Sequence, residues 1–203
     1  GETYHIFNRS IKHIPIFTKK KEFDLFLMAI QYYLQFSPPI KFSLYRQNPD
    51  KYKLNQSKKS VKIIAYCFMP NHFHFILSQL EENGIRSFIQ RLTNSYAHYF
   101  NIKYQQHGPV FERRFKAVRI ETQEQLVHLS RYIHLNPVTS YLVEDPAKYE
   151  YSSYRVYIGR RKSDLVDPSD VMVDFNLEDY QKFVLDQKDY QRELKNIEHF
   201  TFD

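Results

Sequence analysis

The sequence predicts an α+β domain built on an antiparallel sheet. Short alternating or apolar segments, typical of strands, are mixed with longer segments whose apolar residues recur at helical spacing. These segments do not follow the regular strand–helix alternation of a parallel sheet. The chain has 203 residues, 17% of them aromatic, which suits one domain with a substantial core and at most a modest appendage.

The first third of the chain predicts two strands around one long helix. Residues 4–8 alternate weakly, as in a short strand. Residues 19–36 predict a helix that the following Pro-Pro pair ends; its apolar positions are Phe23, Phe26, Leu27, Ile30 and Leu34. Residues 40–45 predict a second strand. Residues 46–60, rich in Lys, Asn and Gln, predict a polar loop or hairpin tip inserted into the domain.

The middle of the chain predicts a hairpin, a helix and a further strand. Residues 61–69 and 72–77 are apolar strand segments joined by the turn formers Pro70 and Asn71. Residues 84–101 predict a second helix, with its apolar stripe at Ile85, Phe88, Ile89, Leu92, Tyr96 and Tyr99. Residues 115–120 predict another strand.

Two more helices are expected towards the end of the chain. Residues 122–135 predict a helix, because Thr122 and Gln125 have capping-box spacing and Pro137 is expected to close it. A further helix is predicted around residues 177–194. We therefore divide the chain into a domain at 1–154 and an acidic, mostly helical C-terminal extension at 155–203.

Charge is unevenly distributed along the chain. The net charge is +6, with +8 in residues 1–62, +1 in residues 63–150 and −3 in residues 151–203. A basic first part favours a polyanionic partner such as nucleic acid. The acidic end is expected to be solvated.

Composition excludes several classes of protein. With four glycines and neither GxGxxG nor GxxxxGK[ST], a glycine-rich phosphate loop is excluded. The single cysteine, Cys67, can form neither an internal disulfide nor a cysteine-based zinc cluster, which favours a reducing compartment. There is no apolar run of membrane-spanning length and no signal-peptide core. We expect a cytoplasmic protein without a membrane partner.

The most informative segment is AYCFMPNHFHFIL at residues 65–77. On a strand, His72 and His74 point to one face, about 7 Å apart, and Phe73 points to the other. Two imidazoles on one face can share a divalent metal ion. Two hydrogen-bonded structural histidines are the alternative. A pair of ligands would also leave an open site that needs a third ligand.

A possible third ligand lies in SRYIHLNPV, on the third predicted helix. Tyr132 and Asn136 are four residues apart and share a face, at the edge of the apolar stripe formed by Leu126, Leu129 and Ile133. Asn136 offers an amide oxygen suited to Mg²⁺ or Mn²⁺, and Tyr132 offers a phenol that can act as a nucleophile. Packing is the alternative role for Tyr132, one of 17 tyrosines.

Several motifs in order resemble the single-tyrosine transposases of the HUH superfamily (IS200-like transposases), and among them the REP-associated branch. The resemblance covers roughly residues 3–154 and is carried by YHIFNRS, AYCFMPNHFHFIL, SFIQRLTNSYAHYFN, GPVFERRFKAVRIE, RYIHLNPV and YEYSSY. It implies a ferredoxin-like antiparallel sheet with helices packed on it.

The resemblance also implies a DNA strand-transfer site. His72 and His74 match the family's histidine pair, Tyr132 its catalytic tyrosine, and Asn136 the third metal ligand, which is Gln in some relatives. Mg²⁺ or Mn²⁺ would be the metal, and Tyr132 would form a 5′-phosphotyrosine link. The implied partner is single-stranded DNA with hairpin or palindromic ends, bound by a monomer or a homodimer.

Basic side chains in and before the last predicted strand are the candidate DNA contacts. They are Arg113, Arg114, Lys116 and Arg119. Basic groups can hold phosphates while neighbouring rings, here Phe111 and Phe115, stack on unpaired bases. A solvated charged edge is the alternative interpretation.

Two other functions are compatible with the sequence. One is a domesticated protein that binds DNA or RNA hairpins without cutting them, whose binding Tyr132→Phe would leave unchanged. The other is a metal-dependent hydrolase that activates water at the histidine pair and forms no protein–DNA adduct. The intact His72, His74, Tyr132 and Asn136 count against the first of these, and a protein–DNA adduct would separate strand transfer from the second.

Overall fold

The computed structural model describes residues 1–38, 40–52, 54, 58–112 and 114–192. Within these residues one antiparallel sheet has the strand order β2-β3-β1-β4. The strands are β1 (Thr3–Arg9), β2 (Val61–Met69), β3 (His72–Gln79) and β4 (Lys116–Ile120). The helices are α1 (Lys20–Tyr33), α2 (Phe42–Gln47), α3 (Gly84–Tyr104), α4 (Gln123–Thr139), α5 (Tyr154–Tyr157) and α6 (Leu177–Leu185). None of the described helices is long and apolar enough to cross a membrane.

The order of these elements confirms the predicted α+β fold with a ferredoxin-like sheet. Strands and helices follow one another as β1-α1-β2-β3-α3-β4, and the first and third strands lie in the centre. This split β-α-β arrangement repeats a strand–helix–strand unit twice. Because β1 and β3 are central and adjacent, residues distant in sequence meet in the middle of the sheet.

The β2–β3 hairpin is as predicted, and it sorts its side chains to two faces. Cys67 pairs with His74, and Phe68 with Phe73. Since neighbouring residues of a strand point in opposite directions, the phenylalanines face one side and His74 faces the other. Both sides are covered, so β2 is almost wholly buried and its sequence is an apolar run rather than an alternation.

Helices α1 and α3 cover the phenylalanine face. The ring of Phe26 in α1 lies 5.2 Å from that of Phe68 and 5.8 Å from that of Phe73, and Phe88 in α3 lies 6.2 Å from Phe75. Burying each such ring stabilises the fold by about 1.5–3 kcal/mol. The main hydrophobic core therefore lies on this face of the sheet, and the candidate site lies on the opposite face.

One buried carboxylate connects the ends of α1 and α3. Glu22 accepts hydrogen bonds from the backbone amides of Thr18 and Lys19, from Lys103 Nζ at 2.7 Å and from the Tyr104 hydroxyl. Burial by itself would raise the pKa of Glu22, but these hydrogen bonds outweigh it and lower the pKa to about 2. Glu22 is therefore ionised at neutral pH, and both of its carboxylate oxygens accept hydrogen bonds.

The predicted strand at residues 40–45 is wrong. Phe42–Gln47 form helix α2, whose Phe42 and Tyr45 rings lie 5.2 and 4.9 Å from the ring of Tyr32 in α1. The apolar residues at 40, 42 and 44 alternate as in a strand, whereas 42 and 45 share a helical face. Packing against Tyr32 decides between the two patterns.

The predicted end of the third helix is also wrong, although its start is confirmed. Thr122 Oγ1 accepts from the Gln125 amide at 3.1 Å, completing the capping box. Helix α4 then continues past Pro137 to Thr139. Pro137 lacks an N–H and removes one hydrogen bond of the last turn, but the turn stays helical because Pro137 and Val138 are buried.

The chain after residue 149 covers the outer edge of β2. The amide of Phe68 donates to the Tyr151 carbonyl at 2.9 Å, and that of Ser153 to the Tyr66 carbonyl at 3.0 Å. Further on, the Asp167 amide donates to the Ile63 carbonyl at 2.9 Å. An exposed strand edge would present unpaired amides and carbonyls, and this segment occupies them.

The C-terminal extension is partly described. Of the helix predicted at 177–194, α6 ends at Leu185 and residues 188–192 are helical, while 193–203 lie outside the described residues. In the polar insertion at 46–60, residues 53 and 55–57 likewise lie outside them. The boundary at residue 154 stays a prediction.

Candidate active site

The site lies on the face of the sheet opposite α1 and α3, where β1 and β3 run side by side. Phe7 pairs with His74, and Arg9 pairs with His72. Because side chains alternate along a strand, His5, Phe7 and Arg9 share this face with both histidines of β3. The polar residues of two strands therefore form one surface, which α4 partly covers.

The two histidines of β3 are adjacent, as predicted from their spacing. Their ring centres lie 5.0 Å apart at an interplanar angle of 86°. His74 is 6% exposed, and His72 is half-buried. The Nδ1 of His72 lies 2.7 Å from Asn71 Oδ1. Because that oxygen is an acceptor, Nδ1 of His72 is the protonated nitrogen and Nε2 keeps its lone pair.

A third histidine, which the sequence analysis did not single out, lies beside them. Nε2 of His5 is 3.0 Å from Nδ1 of His74. Burial lowers the pKa of His5 to about 4, so the ring is neutral at pH 7. The signal available in the sequence was the weak alternation of β1, but only strand pairing shows that His5 meets His74.

Helix α4 places Tyr132 over the histidines. Its ring centre lies 5.8 Å from that of His74 and 6.5 Å from that of His5, both edge to face. Tyr132 is 44% exposed, so a substrate can reach its phenol. Many other tyrosines are buried in the core, among them Tyr96 and Tyr157. Its exposed position beside the histidines therefore distinguishes Tyr132 from these buried tyrosines, which the number of tyrosines in the sequence could not do.

Asn136 lies one helical turn after Tyr132, about 6 Å along the axis of α4. It is 3% exposed, and its buried Nδ2 has no hydrogen-bond partner in the described part of the chain. A buried unpaired polar group costs about 1–3 kcal/mol. A half-turn of the side-chain amide would present the oxygen at the same place, so this position suits a further ligand.

The side-chain types at His72, His74 and Asn136 are ones that can bind a divalent metal. Across the described ranges, no group of three or more His, Cys, Asp or Glu side chains is arranged to hold a metal. Two imidazoles and one amide oxygen would be the protein ligands at His72, His74 and Asn136. Such a set suits Mn²⁺ or Mg²⁺ with positions left for substrate oxygens.

The predicted DNA contacts do not form one surface. Lys116 pairs with Phe7, and its Nζ lies 5.8 Å from the Phe7 ring centre, on the site face. Arg119 lies three residues further along β4, hence on the opposite face, and forms an ion pair with Glu2 at 3.1 Å. Arg114 lines a cleft of about 730 Å³ beside α3. Arg113 lies outside the described residues.

Arg9 is a cation on the site face that the sequence analysis missed. It is half-buried and is the pairing partner of His72. Among the described residues, none of the ion pairs involves Arg9. A guanidinium at this place can bind two oxygens of a phosphate group through two parallel hydrogen bonds.

A buried network holds α4 in place from its other side. His134 Nε2 lies 2.7 Å from Ser153 Oγ, and its Nδ1 lies 2.8 Å from the Tyr180 hydroxyl. That hydroxyl is also 2.8 Å from Ser130 Oγ. Burial lowers the pKa of His134 to about 3, so the ring is neutral. Ser130 and His134 flank Tyr132, so the network orients the turn that carries it.

Comparisons with known proteins agree with this geometry. Residues 50–136 match the family model described as "Transposase IS200 like". The fold is similar to the solved structure of a REP-associated tyrosine transposase bound to a REP hairpin, with a TM-score of 0.52 and 16% identity over 82% of this chain and 88% of that chain. No curated protein matches. The matched segment contains the histidine pair, Tyr132 and Asn136, so over this stretch the chain is similar to IS200-like transposases.

Proposed function

We propose that this protein cleaves and rejoins single-stranded hairpin DNA through a covalent bond to Tyr132. The observation that carries the proposal is the exposed Tyr132 phenol, 5.8 Å between ring centres from buried His74. The match of residues 50–136 to a transposase family model supports DNA cleavage. The similar solved protein is bound to a REP hairpin, which supports a hairpin as the substrate.

The reaction would be a transesterification at phosphorus. Tyr132 Oη attacks, the bond from phosphorus to the 3′ oxygen breaks, and a 5′-phosphotyrosine and a free 3′-OH result. The phenolic proton passes to solvent, and the leaving oxygen takes up one proton. Because one phosphodiester replaces another, the 3′-OH of a second DNA end can reverse the step without a nucleotide cofactor.

Three side chains would hold a divalent ion, Mg²⁺ or Mn²⁺: His72, His74 and Asn136. When bound, it would supply Lewis-acid stabilisation of the charge on the phosphate. The chain would contribute two imidazoles, and the hydrogen bond from Nδ1 of His72 to Asn71 Oδ1 places the lone pair of that ring on Nε2. The buried position of Asn136 keeps its amide from being solvated by bulk water.

Two cations on the site face would bind the DNA backbone next to the cleaved bond. Arg9 lies opposite His72, and Lys116 lies opposite Phe7. Neither position has a neighbouring carboxylate within ion-pair distance among the described residues. Each phosphate contact of this kind adds affinity that falls with salt.

The test uses hairpin DNA labelled at its 3′ end, because the strand 3′ of the cut stays on the protein. After incubation with Mn²⁺ or Mg²⁺ and denaturing electrophoresis, we expect labelled DNA at the size of the protein. Tyr132→Phe and His72→Ala should abolish this band. Tyr190→Phe, which changes a tyrosine that is 58% exposed, is the matched control and should keep it.

Other outcomes of the same gel distinguish the alternatives. Shortened DNA without a labelled protein band, persisting in Tyr132→Phe, would identify a hydrolase. Hairpin binding without cleavage under either metal, unchanged in Tyr132→Phe, would identify a binding protein.

A further inference from the structure

His5 contacts the histidine pair from the neighbouring strand. Its ring is nearly parallel to that of His74, at 16° and 5.2 Å between centres, and the two nitrogens lie 3.0 Å apart. His5 also stacks on Phe7 at 4.7 Å between centres, and Phe7 in turn lies 5.7 Å from His74. The ring is thus held in one orientation by side chains on both strands.

Such a contact restricts the chemistry of His74. Between two facing imidazole nitrogens, one must carry the proton and the other must accept it. Nδ1 of His74 faces His5, so Nε2 is the nitrogen left for a metal. Nε2 has a free lone pair only if the proton of His74 is on Nδ1, which means that His74 donates to His5.

His72 shows the same arrangement with a different acceptor. Its Nδ1 donates to Asn71 Oδ1 at 2.7 Å, leaving its Nε2 with the lone pair. Each histidine of the pair therefore has its own acceptor on Nδ1. Such outer acceptors commonly orient metal-binding histidines and fix their tautomer.

We propose that His5 is a positioning residue that holds His74 in the tautomer and orientation required for binding a divalent metal. The inference rests on the proposed function, because it takes His74 as a ligand. It assigns a role to a residue of β1, outside the segment that matches the family model.

Two substitutions separate this role from simple packing. His5→Gln keeps an acceptor oxygen near the position of Nε2, whereas His5→Leu keeps much of the volume without an acceptor. His98→Leu, at an exposed histidine of α3, is the control for loss of an imidazole elsewhere. Circular dichroism of each full-length variant establishes that it is folded.

The first measurement is Mn²⁺ binding by calorimetry without DNA. We expect His5→Leu to bind Mn²⁺ about 10–100-fold more weakly than the wild type, with most of the affinity restored in His5→Gln and none lost in His98→Leu. The second is ¹⁵N NMR of the histidine side chains in metal-free protein. We expect His74 to be protonated on Nδ1 in the wild type and in His5→Gln, and to be a mixture of tautomers in His5→Leu.

The outcomes distinguish the two proposals. Equal Mn²⁺ affinity in the wild type and His5→Leu would overturn the role of His5 and leave the metal site standing. A wild type that binds no Mn²⁺ would overturn the proposed metal site, and the role of His5 with it. If His5→Leu does not fold, the wild-type spectrum decides, since a His74 protonated on Nε2 contradicts the inference.

Discussion

Replacing Tyr180 by Phe would remove one buried hydroxyl that joins α6 to α4. This hydroxyl lies 2.8 Å from Ser130 Oγ and 2.8 Å from His134 Nδ1, and all three residues are fully buried. Phe keeps the ring and its contact with Tyr157 at 4.8 Å. The substitution therefore tests the two hydrogen bonds rather than the packing.

The two bonds are unequal in cost. Ser130 Oγ keeps the Val127 carbonyl at 2.7 Å as a partner, so losing its bond to Tyr180 costs about 0.5–1.5 kcal/mol. His134 Nδ1 would be left buried without a replacement, which costs about 1–3 kcal/mol. We expect the free energy of unfolding to fall by about 1.5–4.5 kcal/mol.

Urea unfolding followed by circular dichroism measures this loss. The midpoint should fall in Tyr180→Phe with an unchanged dependence on urea, and it should stay at the wild-type value in Tyr190→Phe, where the tyrosine is exposed. A loss below about 0.5 kcal/mol, within the range of ordinary surface substitutions, would refute the view that this network anchors α4.

Three further predictions concern charge. The pKa of Glu22 in the folded protein is about 2, below its ordinary value of 4.5. On the order of 3 kcal/mol of stability is therefore present above pH 4.5 and should be lost as the pH falls to 2. The urea midpoints at pH 5 and pH 3 should differ less in Glu22→Gln than in the wild type. His134 has a pKa of about 3 in the folded protein, against an ordinary value of 6.5. The free energy of unfolding should therefore fall by about 1.4 kcal/mol more per pH unit as the pH falls from 6.5 towards 3. This pH dependence should be absent from the unfolding of His134→Gln. Fluorescence anisotropy of a labelled hairpin at several salt concentrations tests the two basic residues of β4. Lys116→Ala should reduce the slope of log affinity against log salt concentration by about 1, whereas Arg119→Ala, which breaks the ion pair with Glu2, should leave it unchanged. Equal effects of the two substitutions would contradict their assignment to different faces.

Local geometry accounts for the parts of the site that were predictable. His72 and His74 share a face because side chains alternate along any strand, and Tyr132 and Asn136 share a face because a helix repeats every 3.6 residues. The capping residue Thr122 starts α4 by a bond within four residues. The family resemblance added the expected fold name and the expected role of Tyr132 as the nucleophile, because spacing by itself left packing as an alternative.

Packing between residues distant in sequence decided the secondary structure at two places where the local sequence pattern was misleading. The alternation at residues 40–45 predicted a strand, but contact of Phe42 and Tyr45 with Tyr32 favours the helix that the structure has. Pro137 stays inside α4 because its neighbours are buried.

Sequence alone therefore supplied the candidate residues, which are the histidine pair, the tyrosine and the asparagine at their spacings. Tertiary structure decided that His5 and Arg9 lie beside the histidine pair, that Tyr132 is an exposed phenol next to His74, and that Lys116 and Arg119 lie on different faces. The physical reason is that spacing within one element is set by covalent geometry and backbone hydrogen bonds. Which elements lie side by side, and in which register, depends on burial summed over the whole chain.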